Sequence, residues 1–120
     1  MHYTIEVLSG CIKAEMVERD TAAETADFVR AIVDSMRAHE IYRILISIRK
    51  SRPVFKVEQW KLSETLDMLM SVPHIQVAFI ADTPELKMSQ DYIALLGRQR
   101  GLQFETFATE QAAVAWLTRA

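Results

Sequence analysis

YRILISIRKSRPVFKVEQWK, residues Tyr42 to Lys61, is the stretch whose reading decides the fold. Ile41–Ile48 is a nearly continuous apolar run, the pattern of a central strand covered on both sides. Four cations come next in the loop around Pro53: Arg49, Lys50, Arg52 and Lys56. A helix is predicted after them, from about Val57 to Val72, with Pro73 ending it. The order is therefore buried strand, basic loop, helix.

Downstream the same unit recurs. His74–Ala81 reads as another apolar strand. Asp82-Thr83-Pro84-Glu85 has a capping side chain, a proline at the first helical position and then an acid, which together predict a helix start. Met88, Tyr92, Leu95 and Leu96 are the expected buried stripe of that helix, and Gly101 suits its C-terminal cap. Leu102–Phe107 alternates like an edge strand. Thr109 caps a last short helix carrying Ala112, Ala113, Trp116 and Leu117.

Upstream, Tyr3–Leu8 alternates as a half-buried strand does. Gly10 supplies the turn, and Cys11–Glu18 returns with Ile12, Ala14 and Met16 on one face, so the pair reads as an antiparallel hairpin. Thr21-Ala-Ala-Glu24 is a capping-box pattern. Behind it Ala22, Ala26, Val29, Val33 and Met36 repeat at helical spacing, flanked by Phe28 and Ile32, to an end near His39.

The resulting order is β-β-α-β-α-β-α-β-α. This is a single α/β domain over residues 1–120, with a mixed, mainly parallel five-stranded sheet laid down roughly in sequence order and joined by right-handed crossovers. Ile44, Ile46 and Ile48, with Ile75, Val77 and Phe79, predict one wholly apolar sheet face under a thick helix layer. The other face, Arg43, Leu45 and Ser47 with Gln76, Ala78 and Ile80, predicts a thinner cover from a terminal segment or a second subunit.

Composition narrows the function. Half of the 120 residues are apolar and a quarter charged, with a net charge of −2. That balance gives no general pull towards nucleic acid or an anionic membrane. The single cysteine, Cys11, has no internal disulfide partner, and a reducing cytoplasm is the expected location. No apolar run approaches the length of a membrane span, and MHYTIEVLSG lacks the pattern of a signal peptide.

The strand and loop ILISIRKSRPVFKVEQW, the strand VAFIAD with its proline-started helix, and the ending FETFATEQAAVAWL together resemble the STAS domain of bacterial anti-sigma-factor antagonists. They look closer still to small STAS/SEC14-like proteins of that fold. The resemblance implies the fold and a partner-binding role. It also implies a phosphorylation switch, which this sequence departs from. The family's strand aspartate is replaced by Ser47, and the Asp-Ser-Ser/Thr-Gly helix opening by Phe55-Lys56-Val57-Glu58. Lys56 falls about where the phosphoacceptor hydroxyl belongs, and Ser51 is the one hydroxyl in the loop.

The residues themselves offer few sites. Arg49, Lys50, Arg52 and Lys56 crowd the C-terminal end of a central strand ahead of a helix N-terminus, where open α/β sheets tend to bind ligands and anions are favoured. The competing reading is four solvated cations. No Gly-rich phosphate loop supports the first. Trp60 lies off the core stripe of Leu62, Leu66, Leu69 and Met70, with Val57 and Met68 on its flank. It marks either an exposed interface patch or a distorted or covered first turn. Asp82 could serve as a base or metal ligand, or with Thr83 cap the next helix. His2, His39 and His74 share no ligand spacing. Arg98, Arg100 and Arg119 extend a basic surface or complement helix C-termini.

The expectation is a non-enzymatic regulatory module without cofactor or metal that binds a protein partner or a second copy of itself. Its predicted surface is Arg49, Lys50, Arg52, Lys56, Val57 and Trp60. The alternative is a binder of a small anionic or amphipathic ligand beside the same strand ends, which predicts a concave pocket there.

Overall fold

The computed structural model of the chain describes residues 2–8, 10–18, 22–50, 66–72 and 74–118. Its strands are β1 (His2–Leu8), β2 (Cys11–Val17), β3 (Arg43–Arg49), β4 (Gln76–Ala81) and β5 (Gln103–Thr106). The helices are α1 (Ala22–His39), the helical residues 66–70 (α2), α3 (Pro84–Gln99) and α4 (Glu110–Leu117). The five strands lie side by side in the order β1-β2-β3-β4-β5. β1 and β2 are antiparallel and every later pairing is parallel, as the succession of hairpin and βα units requires.

Local chemistry sets the element ends. Gly10 takes φ +88° in the hairpin turn, a region open to glycine without a Cβ clash. Thr83 and Thr109 cap α3 and α4, each Oγ1 accepting a backbone N–H three residues on, from Leu86 and Ala112, at 3.2 Å. α3 closes in a Schellman motif, with the Leu102 N–H donating to the Gly97 carbonyl and Gly101 at φ +83°. α1 closes in the same way: the Ile41 N–H donates to the Met36 carbonyl, but the left-handed residue is Glu40, at φ +54°. A glutamate in that conformation carries steric strain that a glycine would not. Thr21, at the predicted capping box, lies outside the described residues.

Register explains the two sheet faces. The cross-strand rows Ile12–Ile44–Val77–Phe104 and Ala14–Ile46–Phe79 put apolar side chains on one face, with Thr106 ending the second row at the β5 edge. α1, 66–72 and α3 bury it through residues including Phe28, Ile32, Met36, Leu66, Leu69 and Leu86. The second face holds a much smaller core of Cys11, Leu45, Ala78, Ala113 and Leu117, covered among the described residues by α4. The thin cover is thus the terminal helix. Phe107 and Trp116 close its edge with ring centroids 5.6 Å apart.

Two predicted stripes need correction. α3 buries Leu86, Gln90, Ile93, Ala94 and Gly97, not Met88 and Leu95, which are 72% and 46% exposed. The true stripe includes a glutamine and a glycine, so hydropathy alone passes over it. Gln90 is accommodated because its amide donates to the Ile80 carbonyl at 2.8 Å. Gly97 is required because a Cβ there would meet the Phe104 ring at 2.3 Å. Met70, predicted for the core, is 46% exposed while Leu66, Leu69 and Val72 are buried.

Candidate functional site

The predicted surface begins where β3 ends. Arg49 is half exposed, and its Nη1 lies 3.7 Å from Glu15 Oε1 on the neighbouring β2. Its carbonyl accepts the Glu18 N–H at 3.2 Å. Lys50 then turns through the left-handed region, φ +48°, and its N–H donates to Asp82 Oδ2 at 3.2 Å. Asp82 therefore links the ends of β3 and β4, while Thr83 does the capping. Arg52, Lys56, Val57 and Trp60 lie outside the described residues, as does Ser51. Met68, expected beside Trp60 in an open patch, is partly buried against the main core.

Ser47, where the resemblance places an aspartate, is 7% exposed on the α4 face, between Glu15 and Ile80 in register. The described part of this end carries carboxylates from Glu15, Glu18 and Asp82 around Arg49 and Lys50. It is a mixed-charge surface in which Arg49 pairs with Glu15, Asp82 accepts the Lys50 N–H, and the Glu18 carboxylate lies 3.9 Å from His2 Nε2.

The remaining candidates are dispersed. His2, His39 and His74 sit at three separate places, with His39 Nδ1 2.9 Å from the Ser35 carbonyl. Among the described residues no cluster of histidine, cysteine and carboxylate side chains could hold a metal ion. Cys11 is fully buried. Burial pushes its thiol up from the ordinary range against the pull of Arg43, which makes it a packing residue and a poor nucleophile. Arg98 donates to the Phe104 carbonyl at 3.1 Å and Arg100 to Asp67 at 2.7 Å. These two arginines tie α3 to β5 and to α2 and do not form an open basic surface. Arg119 lies outside the described residues.

A concavity of about 540 Å³ lies at the opposite end of the sheet, where β3, β4 and β5 begin. Its floor is a cross-strand row of first residues: Arg43 is in register with Gln76, and Gln76 with Gln103. Gly10, Glu40, Ile41, Tyr42 and His74 line the concavity along with that row. The signal was present in the sequence, since each of these strands starts on a polar residue. It became legible only once register put the three side by side.

No family model matches the chain, and no curated protein matches it by sequence. Solved structures do match it, over nearly its whole length. An anti-sigma factor antagonist of Thermotoga maritima superposes with a TM-score of 0.62 at 12% identity, over 98% of this chain and 95% of that one. An anti-sigma factor antagonist of Mycobacterium paratuberculosis gives 0.60 at 15% identity, over 97% and 92%. The anti-sigma factor antagonist SpoIIAA, in its unphosphorylated form, gives 0.61 at 12% identity, over 97% and 96%. The fold is thus the STAS-like fold of anti-sigma factor antagonists. Among the described residues, no helix is long and apolar enough to cross a membrane.

Proposed function

We propose that this chain is a non-enzymatic, cytoplasmic regulatory module that binds a protein partner of the anti-sigma-factor class. The observation that carries the reading is the fold likeness, which extends over almost the full length of each antagonist. The contact surface we assign comprises the C-terminal end of β3 and the adjoining segment: Arg49, Lys50, Arg52, Lys56, Val57 and Trp60. Interleaved Glu15, Glu18 and Asp82 favour a partner with its own mixed charges over a polyanion. With Lys56 at the phosphoacceptor slot, binding is constitutive and not switched by phosphorylation. A homodimer through Trp60 is the self-association form of the same surface. The small-ligand reading at these strand ends has no described feature in its favour, because the concavity lies at the other end.

The test is calorimetric titration of the purified chain against each anti-sigma factor encoded in the same genome, with solution mass measured in parallel. Trp60→Ala and Arg52→Glu are expected to weaken binding on the order of tenfold or more, as hot-spot truncations do, with unchanged circular dichroism. Full binding by both variants would rule out the surface. A wild-type chain that binds none of these proteins would rule out the partner class. Incorporation of phosphate at Ser51 from a partner kinase and ATP would overturn the constitutive reading.

A further inference from the structure

The N-terminal end of the sheet carries a feature that partner binding at the other end does not use. Polar residues begin three adjacent parallel strands, in register: Arg43, Gln76 and Gln103. Adjacent strands are about 4.8 Å apart, so the row spans about 10 Å on the α4 face. The next row of that face, Leu45 with Ala78, is fully buried in the small core with Ala113 and Leu117. The polar row, together with Gly10, lines the 540 Å³ concavity. That volume falls in the range of small-molecule sites.

The chemistry of the row is directional. Gln76 Nε2 donates to Gln103 Oε1 at 2.9 Å. This fixes both amides and leaves the Gln103 amino group to donate elsewhere. Arg43 is only partly exposed, and its guanidinium has no hydrogen bond or ion pair among the described residues. Every other described arginine has such a partner. A partly desolvated guanidinium with unmatched donors is costly, and its planar fork fits a carboxylate or a phosphoryl group. His74, Tyr42 and Glu40 also line the concavity, and Glu40 adds one negative charge. A polyanion is thereby disfavoured relative to an anion of low charge.

We propose that this concavity is a second site, which takes a small molecule through a single carboxylate or phosphoryl group seated on Arg43 and the Gln76–Gln103 pair. β3 connects it directly to Arg49 and Lys50. The seven residues of that strand place the two ends about 20 Å apart.

The test is NMR titration of the ¹⁵N-labelled full chain with sodium acetate and, separately, inorganic phosphate, each against sodium chloride at equal ionic strength. Saturable shifts are expected at the amides of Arg43, His74, Gln76 and Gln103. Saturation by acetate alone assigns a carboxylate, and saturation by phosphate alone a phosphoryl group. Arg43→Gln removes the charge at similar volume and is expected to weaken binding on the order of tenfold or more. Gln103→Glu, at an exposed edge position, opposes the anion with like charge and guards against a folding defect in the first variant. The site is refuted if neither anion shifts these amides saturably, or if both folded variants bind as the wild type does. Shifts confined to Arg49 and Lys50 would refute it equally.

Discussion

The two ends of the parallel sheet differ in how their charges are matched. At the C-terminal end Arg49 faces Glu15, the Lys50 N–H meets Asp82, and Glu18 donates its N–H to the Arg49 carbonyl. Polar groups there are tied to one another across strands. At the N-terminal end Arg43 has no such partner among the described residues, and the polar row it begins opens into a concavity. An internally matched surface offers a partner shape and contact area, whereas an unmatched guanidinium in a recess offers a specific anion a place. A single strand, β3, supplies both arginines.

The comparison can be broken most severely at Phe104. Its ring is buried beside Gly97 and meets the Phe79 ring edge-on at 5.4 Å. It anchors the strand that carries Gln103. Phe104→Ala is expected to cost about 3–5 kcal/mol, read from the urea midpoint, and to abolish the anion-induced shifts in whatever fraction stays folded. A cost under about 1 kcal/mol would mean that the recess is not built on this core.

Asp82→Ala addresses the other end. Losing the acceptor for the Lys50 N–H is expected to cost about 1 kcal/mol and to speed hydrogen exchange at Lys50, while leaving the Arg43 end unchanged. Unaltered exchange at Lys50 would show that the two strand ends are not latched as described.

A smaller effect comes from between the ends, where α4 is tied to the sheet. Lys13 Nζ lies 2.6 Å from Glu110 Oε1, and that hydrogen bond holds the lysine above its ordinary value of 10.5. Because the folded-state value is the higher one, the stabilisation is complete below pH 10.5 and is lost as pH rises through the raised value. Both side chains are partly exposed, so the contribution is under about 1 kcal/mol. Lys13→Met should flatten that alkaline limb of the stability profile. A limb that persists unchanged in the variant would assign it to another group.

Most of the fold was legible in the chain. Gly10, Thr83-Pro84, Gly101 and Thr109 mark turns and caps by local chemistry, and the isoleucine-rich Ile41–Ile48 declares a central strand. The site was legible only in part. Arg49 and Lys50 could be placed at a strand end from sequence, but their acidic neighbours Glu15, Glu18 and Asp82 come from other segments of the chain. The stripe of α3 was misread because Gln90 and Gly97 are buried for reasons of contact, one for a carbonyl and one for a ring, and neither has a hydropathy signature.

The sequence by itself determined the order of elements, the parallel sheet and its unequal faces, because periodicity, capping and turn chemistry act over a few residues. Tertiary structure alone decided that Arg43, Gln76 and Gln103 form one row, and that Arg49 is answered by a carboxylate while Arg43, among the described residues, is not. Register and helix docking join residues tens of positions apart, and no local pattern records which side chains will meet.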